Sequence, residues 1–170
     1  MYMEFTIRRA TIKDKTDIIN ILQAAARWLQ NKGIKQWGFL LAGNEDPAME
    51  VEILAGNTYI AEIEGQIAGT FIASCEQNEW DVLMWGEKDD AAWYIHRLAV
   101  HQNYRGKQIG RQLLEWIETQ LVGANSVLRL DCVADNPDLI SFYDRAGYTF
   151  VGMKKDGEDR FALYEKELTI

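Results

Sequence analysis

The chain has 170 residues, 48% hydrophobic and 26% charged, which suits one globular domain with a single core and excludes a disordered chain. Its formal net charge of −8 argues against nucleic-acid binding, which needs a basic face, and suits a cationic ligand such as an amine. Two cysteines, Cys75 and Cys132, and two histidines, His96 and His101, offer no metal-ligand spacing. No metal is expected, and both thiols are expected to be buried and reduced.

Residues 5–9 read as a first strand. Thr11 caps a helix over 14–31, with Asp14 in the capping-box position and Ile18, Ile21, Leu22, Ala25 and Leu29 on its apolar stripe. Gly33 ends it. An aromatic connector follows, in which Trp37 and Phe39 either plug the edge of the core or line a pocket. Asp46 and Pro47 open a second helix that runs to about Ala55. Residues 58–63 alternate as a strand, Glu64-Gly65 turns, and 66–75 is the partner strand. Residues 76–91 carry the weakest pattern and read as a long hairpin loop or strand extension.

Residues 93–100 are nearly continuous in apolar character and predict a central strand. The stretch Arg-Gly-Lys-Gln-Ile-Gly-Arg-Gln-Leu-Leu, 105–114, then turns into a helix with Ile109, Leu113, Leu114, Ile117 and Leu121 on one face, stopped by Gly123. Residues 126–134 form another buried strand. A strand–helix–strand crossover makes it parallel to 93–100. Asn136-Pro137-Asp138 starts a helix to Ala146, closed by Gly147. Residues 148–153 and 161–168 are closing strands around a turn. The layout predicts one α/β domain over 1–170, a mixed sheet with helices on both faces. No apolar run is long enough to span a membrane and the first seven residues carry no signal pattern, so a cytoplasmic protein is expected. Exposed edge strands leave a monomer or a homodimer open.

The turn at 105–110 is the chemical centre of the sequence. A helix N-terminus presents unpaired N–H groups and partial positive charge. Gly106 and Gly110 allow close backbone approach, and Arg105, Lys107 and Arg111 add full charges, so the turn reads as an anion site suited to phosphate. It is neither a Walker loop nor a dinucleotide fingerprint.

These elements, in this order, resemble the GNAT superfamily of N-acetyltransferases. The family's acyl-CoA pattern, Arg/Gln-x-x-Gly-x-Gly/Ala, falls on Arg105-Gly-Lys-Gln-Ile-Gly110. Leu98-Ala-Val100 looks like the end of its fourth strand, and Asn136, Tyr143 and Gly147-Tyr-Thr-Phe150 match its second block. The departure is Gln108, where the family has a central Gly. Its N–H is kept provided its φ is negative, which is the expectation here.

The resemblance implies acetyl transfer from acetyl-CoA to a primary amine of a small molecule or peptide. It implies a sheet splayed between two parallel strands, 93–100 and 126–134, with the pantetheine arm between them. Leu98, Ala99 and Val100 would bond that arm by their backbone. Arg105, Gly106, Lys107, Gln108, Ile109, Gly110 and Arg111 would hold the pyrophosphate, with Asn136 and Tyr143 also at the cofactor. Tyr143 matches the family's general acid. Many members carry a glutamate base on the fourth strand; here that strand carries His96, a residue that titrates in the useful range. Strand alternation places His96, Leu98 and Val100 on one face unless a bulge intervenes near Leu98. A non-catalytic acyl-CoA sensor is the alternative.

Overall fold

The computed structural model describes residues 4–41 and 47–169, apart from the side chain of Phe39. The expected Asp46 cap and the placement of Phe39 lie outside the described residues. The strands are β1 (Thr6–Arg9), β2 (Thr58–Ile63), β3 (Gln66–Ser74), β4 (Ala92–Val100), β5 (Ser126–Val133), β6 (Thr149–Asp156) and β7 (Asp159–Leu168). The helices are α1 (Lys15–Asn31), α2 (Gly38–Leu41), α3 (Pro47–Leu54), α4 (Glu79–Trp85), α5 (Ile109–Trp116) and α6 (Pro137–Arg145). The strands form one mixed sheet in the order β1-β2-β3-β4-β5-β7-β6. Its parallel pair is β4 with β5, as the crossover rule requires. Two compact units share the chain: residues up to Ala73 with Arg97–Leu114, and Ser74–His96 with Glu115 onward. Strand β4 passes from the second unit into the first between His96 and Arg97.

In the first unit, β1, β2 and β3 form an antiparallel meander. Helix α1 lays Ile18, Ile21, Leu22 and Leu29 against it, joined by Ala26 rather than the expected Ala25. Ile18, Ile21 and Leu22 share a core with Leu40, Met49, Ile53, Ile60 and Ala99. Each large aliphatic side chain so buried contributes about 1.5–3 kcal/mol. Trp37, partly buried, packs against this same core, as the plug reading expects. Thr11 and Asp14 do bracket a helical start, but the first turn is 3-10 (Ile12–Asp14) and the α-helix begins only at Lys15. The Asp14 carboxylate accepts the Thr11 N–H at 2.7 Å and two Arg8 bonds at 2.9 and 3.0 Å. The Arg8 bonds, more than any other influence, hold it below the usual carboxylate range.

Gly69 of β3 stands in a tight place in the first unit. A Cβ there would stand 3.0 Å from Leu113 Cδ1 and 3.1 Å from the Ala99 carbonyl oxygen. The backbone side of that gap cannot yield, so Gly69→Val is expected to cost about 1–3 kcal/mol as an overpacking change. Thermal unfolding checks it; an unchanged Tm would mean that β4 and α5 can move apart freely.

In the second unit, β5 pairs with β7 and β7 with β6, both antiparallel. The parallel ladder joins Ala92, Trp93 and Tyr94 of β4 to Val127, Leu128 and Arg129 of β5. Residues 76–91 are not a continuous loop or strand extension, contrary to expectation, because 79–85 fold into α4. Asn78 caps α4, accepting the Asp81 N–H at 2.8 Å, while Asp81 Oδ2 accepts the Asn78 N–H at 3.1 Å. The reciprocal pair is a capping box. After Trp116 the helical chain widens into a π-helical stretch, Ile117–Val122, that ends at Gly123 (φ 78°). Leu121 falls in this wider stretch and is only half-buried, whereas Ile109, Leu113, Leu114 and Ile117 are buried as expected. Cys132 is buried, but Cys75, expected to be buried, is exposed just past the end of β3.

Candidate active site

The turn 105–108 is shaped by two left-handed residues. Gly106 has φ 78° and Gln108 has φ 59°, while Lys107 between them stays outside the left-handed region. Left-handed residues in a turn are the backbone form from which anion-binding nests are made. The expectation of a negative φ at Gln108 is therefore wrong. A non-glycine residue there costs about 1–2 kcal/mol, yet its N–H is retained. Gln112 helps carry that strain. Its buried side-chain amide donates to the Gln108 carbonyl at 3.2 Å and the Lys107 carbonyl at 3.4 Å, bracing the turn from beneath. The outer side stays open: a Cβ at Gly106 would meet nothing within 4 Å.

The basic residues around the turn are partly pre-positioned. Arg105 lies over the ring of Trp28, guanidinium carbon to centroid 4.7 Å, and Lys107 Nζ lies 5.8 Å from the Tyr104 ring. Stacking on an aromatic face limits the motion of a guanidinium and favours its charge. Burial pulls the other way, lowering the Arg105 pKa from its ordinary value. Trp28 lies outside the expected apolar stripe of α1 and is exposed, so periodicity gave no hint of this partnership. Ile109 is buried as the first residue of α5, and Gly110 and Arg111 follow it in the first turn.

Arg97 reshapes the end of β4. Its φ is 52°, a left-handed residue inside a strand, which interrupts the alternation at the point where a bulge had to be allowed for. Beyond it come Leu98, Ala99 and Val100, with Ala99 buried beside Gly69 and the His101 N–H donating to the Ala68 carbonyl at 2.7 Å. These three lie in the first unit, together with the turn they lead into.

In the second unit His96 has acidic neighbours. Its Nε2 is 2.9 Å from Asp81 Oδ1 of α4. The approach is at ion-pair distance but bent, without the alignment of a full hydrogen bond between these two atoms. Asp131 of β5 accepts a bond from Trp80 Nε1 at 3.1 Å, and Trp80 meets Phe161 edge-on at 4.9 Å. Burial raises the Asp131 pKa, and the charge of Asp81 adds to this; His96 and the Trp80 bond oppose it. Arg129 anchors the segment between α4 and β4, binding Asp90 at 2.6 and 3.0 Å, the Tyr94 hydroxyl at 3.0 Å and Glu165 at 3.2 Å. Burial alone would lower the Arg129 pKa, but these partners more than reverse it. Asp81 and Asp131 were missed by sequence reasoning. Among the described residues no group of three His, Cys, Asp or Glu side chains is placed to hold a metal ion.

Tyr143 of α6 is buried and ringed by Phe142, Tyr148 and Tyr164, at centroid distances of 5.3, 5.9 and 5.8 Å. Burial, then Cys132 and Asp131, push its pKa well above the usual tyrosine range, so it stays protonated at any working pH. Burial, with Asp131, pushes the Cys132 thiol up to about 12. Asn136 is buried as the cap of α6, its Oδ1 accepting the Leu139 N–H at 3.2 Å. That bond occupies the oxygen with a structural task.

Comparison with known proteins supports what the turn suggests. The model of the acetyltransferase (GNAT) family matches residues 41–148. An uncharacterized N-acetyltransferase, YesJ, of Bacillus subtilis (strain 168) is 34% identical over 162 residues, covering 94% of this chain and 88% of YesJ. A GNAT-family acetyltransferase from Listeria monocytogenes 4b F2365 has a crystal structure similar at a TM-score of 0.75 and 34% identity, covering 98% of this chain and 96% of that one. At 18% identity the PaiA N-acetyltransferase of Thermoplasma acidophilum, solved with coenzyme A, shares the fold, with a TM-score of 0.67 over 97% of this chain and 99% of its own. Both the family match and the extent of these similarities lead to one assignment: the chain belongs to the GNAT family of acetyltransferases.

Proposed function

We propose that this acetyltransferase moves the acetyl group of acetyl-CoA onto a primary amine of a small molecule or peptide, by direct attack of the amine on the thioester. The observation that carries the reading is the turn at 105–108, with paired left-handed residues, an open outer side and cations at hand. These are the features a pyrophosphate needs. When bound, acetyl-CoA supplies an acyl carbon activated by a good leaving group. The N–H groups of 106–110 with Arg105, Lys107 and Arg111 would hold its phosphates, and the backbone of Leu98, Ala99 and Val100 would hold its arm. The Val100 N–H would also polarise the reacting carbonyl, a kind of donor whose loss costs about 3 kcal/mol in other acyl-transfer enzymes.

The rest of the work is proton movement. A Lys-like amine is neutral in only about one molecule in 2,500 at pH 7, so a base is needed. His96 would take the proton, and Tyr143, protonated throughout, would hydrogen-bond the departing sulfur. The net charge of −8 suits a cationic acceptor.

The test is thiol release from acetyl-CoA across a panel of amines. Release that requires an amine is expected. A folded protein that binds coenzyme A and releases no thiol with any amine would be a sensor instead. On the acceptor found, kcat/KM is expected to rise with pH through the His96 pKa, and His96→Ala is expected to remove that limb with cofactor affinity unchanged. An identical acidic limb in both proteins would assign the base elsewhere.

A further inference from the structure

We infer that Trp28 is a positioning residue for the cofactor: its ring holds the Arg105 guanidinium at the turn, charged and uncommitted, for a phosphate group of coenzyme A. This rests on the reading of the turn at 105–108 as the phosphate site. Trp28 and Arg105 belong to the same compact unit, where α1 packs beside the 3-10 turn Gln102–Tyr104 that leads into Arg105. The guanidinium carbon lies 4.7 Å from the ring centroid. Acids outnumber bases in this chain, 26 to 18, and other arginines are paired with them: Arg8 with Asp14, Arg129 with Asp90 and Arg160 with Asp135. Arg105 is different. Among the described residues no carboxylate pairs with it, and burial alone moves its pKa. A carboxylate would hold the guanidinium too, but it would neutralise the charge and compete with an incoming phosphate. An aromatic face holds it without neutralising it, and leaves the N–H donors at the guanidinium edge to a ligand. Ordering the side chain in advance also removes part of the entropy that binding would otherwise cost.

The surface position of Trp28 supports the same role. It is 41% exposed and outside the buried stripe of α1, so the core gives no reason for an indole there. Lys32 Nζ lies 3.7 Å from the same ring centroid. Lys32 stands at the C-terminal cap of α1, where the helix dipole favours a cation, so the helix accounts for Lys32. Arg105 has no such local reason to be at this ring. The pattern recurs in the same turn, where Lys107 Nζ lies 5.8 Å from the Tyr104 ring.

The experiment is calorimetric titration with coenzyme A and with dephospho-coenzyme A, which lacks the 3′-phosphate. Trp28→Leu is expected to weaken coenzyme A binding by about three- to tenfold, with a Tm near the wild-type value because the ring is exposed. Trp28→Phe, which restores an aromatic face, is expected to recover most of the loss. Arg105→Gln removes the charge itself and is expected to weaken binding at least as much. In that background Trp28→Leu is expected to add less than about twofold, since the ring acts through the guanidinium. An equal loss with both ligands assigns Arg105 to the pyrophosphate, and a loss confined to coenzyme A assigns it to the 3′-phosphate; either supports the role of Trp28. Unchanged affinity in Trp28→Leu beside a weakened Arg105→Gln, or an undiminished loss in the Arg105→Gln background, overturns that role. Unchanged affinity in Arg105→Gln and Gly110→Asp alike overturns the reading of the turn instead.

Discussion

Gly110→Asp is expected to weaken acetyl-CoA binding by more than a hundredfold, measured by calorimetry. Gly110 is the second residue of α5, immediately past the left-handed residues Gly106 and Gln108. An aspartate in a first helical turn interacts favourably with the helix dipole. The same carboxylate faces any anion held by the turn. At about 5 Å and an effective dielectric near 20, one pair of like charges costs about 3 kcal/mol, enough for the expected loss. A side chain also fills space that glycine leaves to the ligand. Since stability and affinity are pushed in different directions, the result is easy to read: a folded variant with unchanged affinity would remove the cofactor from this turn.

Tyr143→Phe is expected to lower kcat by roughly ten- to a thousand-fold with cofactor affinity nearly intact. The ring packs among Phe142, Tyr148 and Tyr164, and phenylalanine keeps that packing. What disappears is one hydroxyl. Its raised pKa narrows what it can do. A thiol has a reference pKa of about 8.5, so full proton transfer from this tyrosine to a departing thiolate runs uphill, and its help comes as a hydrogen bond to developing charge. The lower half of the range is therefore the expectation. An unaffected kcat, in an assay limited by chemistry, would leave Tyr143 as a packing residue.

The elements that sequence reasoning placed well are those where two signals agree. Helix α6 has a cap, a proline and an acid in succession before its apolar face, and β4 and β5 combine apolar runs with a crossover between them. Helix α4 had its signal too. Asn78-Glu-Trp-Asp81 is a cap with an acid three residues on, followed by Val82-Leu83-Met84-Trp85. It was obscured because α4 has only seven residues and exposes Val82 and Leu83, so no apolar stripe develops. That omission hid Asp81. Asp131 was hidden differently: it alternates with Leu130 and Cys132 along β5, as an outward polar residue would, and only α4 packed over it changes its surroundings. The residue types at Gln108 and Arg97 do not favour a left-handed backbone, and the only hints were the family's Gly at the position of Gln108 and the allowance for a bulge near Leu98. Both conformations depend on their surroundings in the fold, such as the brace from Gln112.

The two cysteines have opposite fates in reagent chemistry. Only the thiolate reacts, and a thiol with a pKa of about 12 holds roughly one part in 100,000 as thiolate at pH 7, against about 3% for an unperturbed one. Cys132 is thus shielded twice, by burial and by charge state, while Cys75 lies open. In the folded protein an alkylating dye marks Cys75 alone, which provides a single attachment point without mutagenesis. Labelling of Cys132 then reports a different event, the opening of β5 and its neighbours, so the second dye equivalent acts as a clock for unfolding.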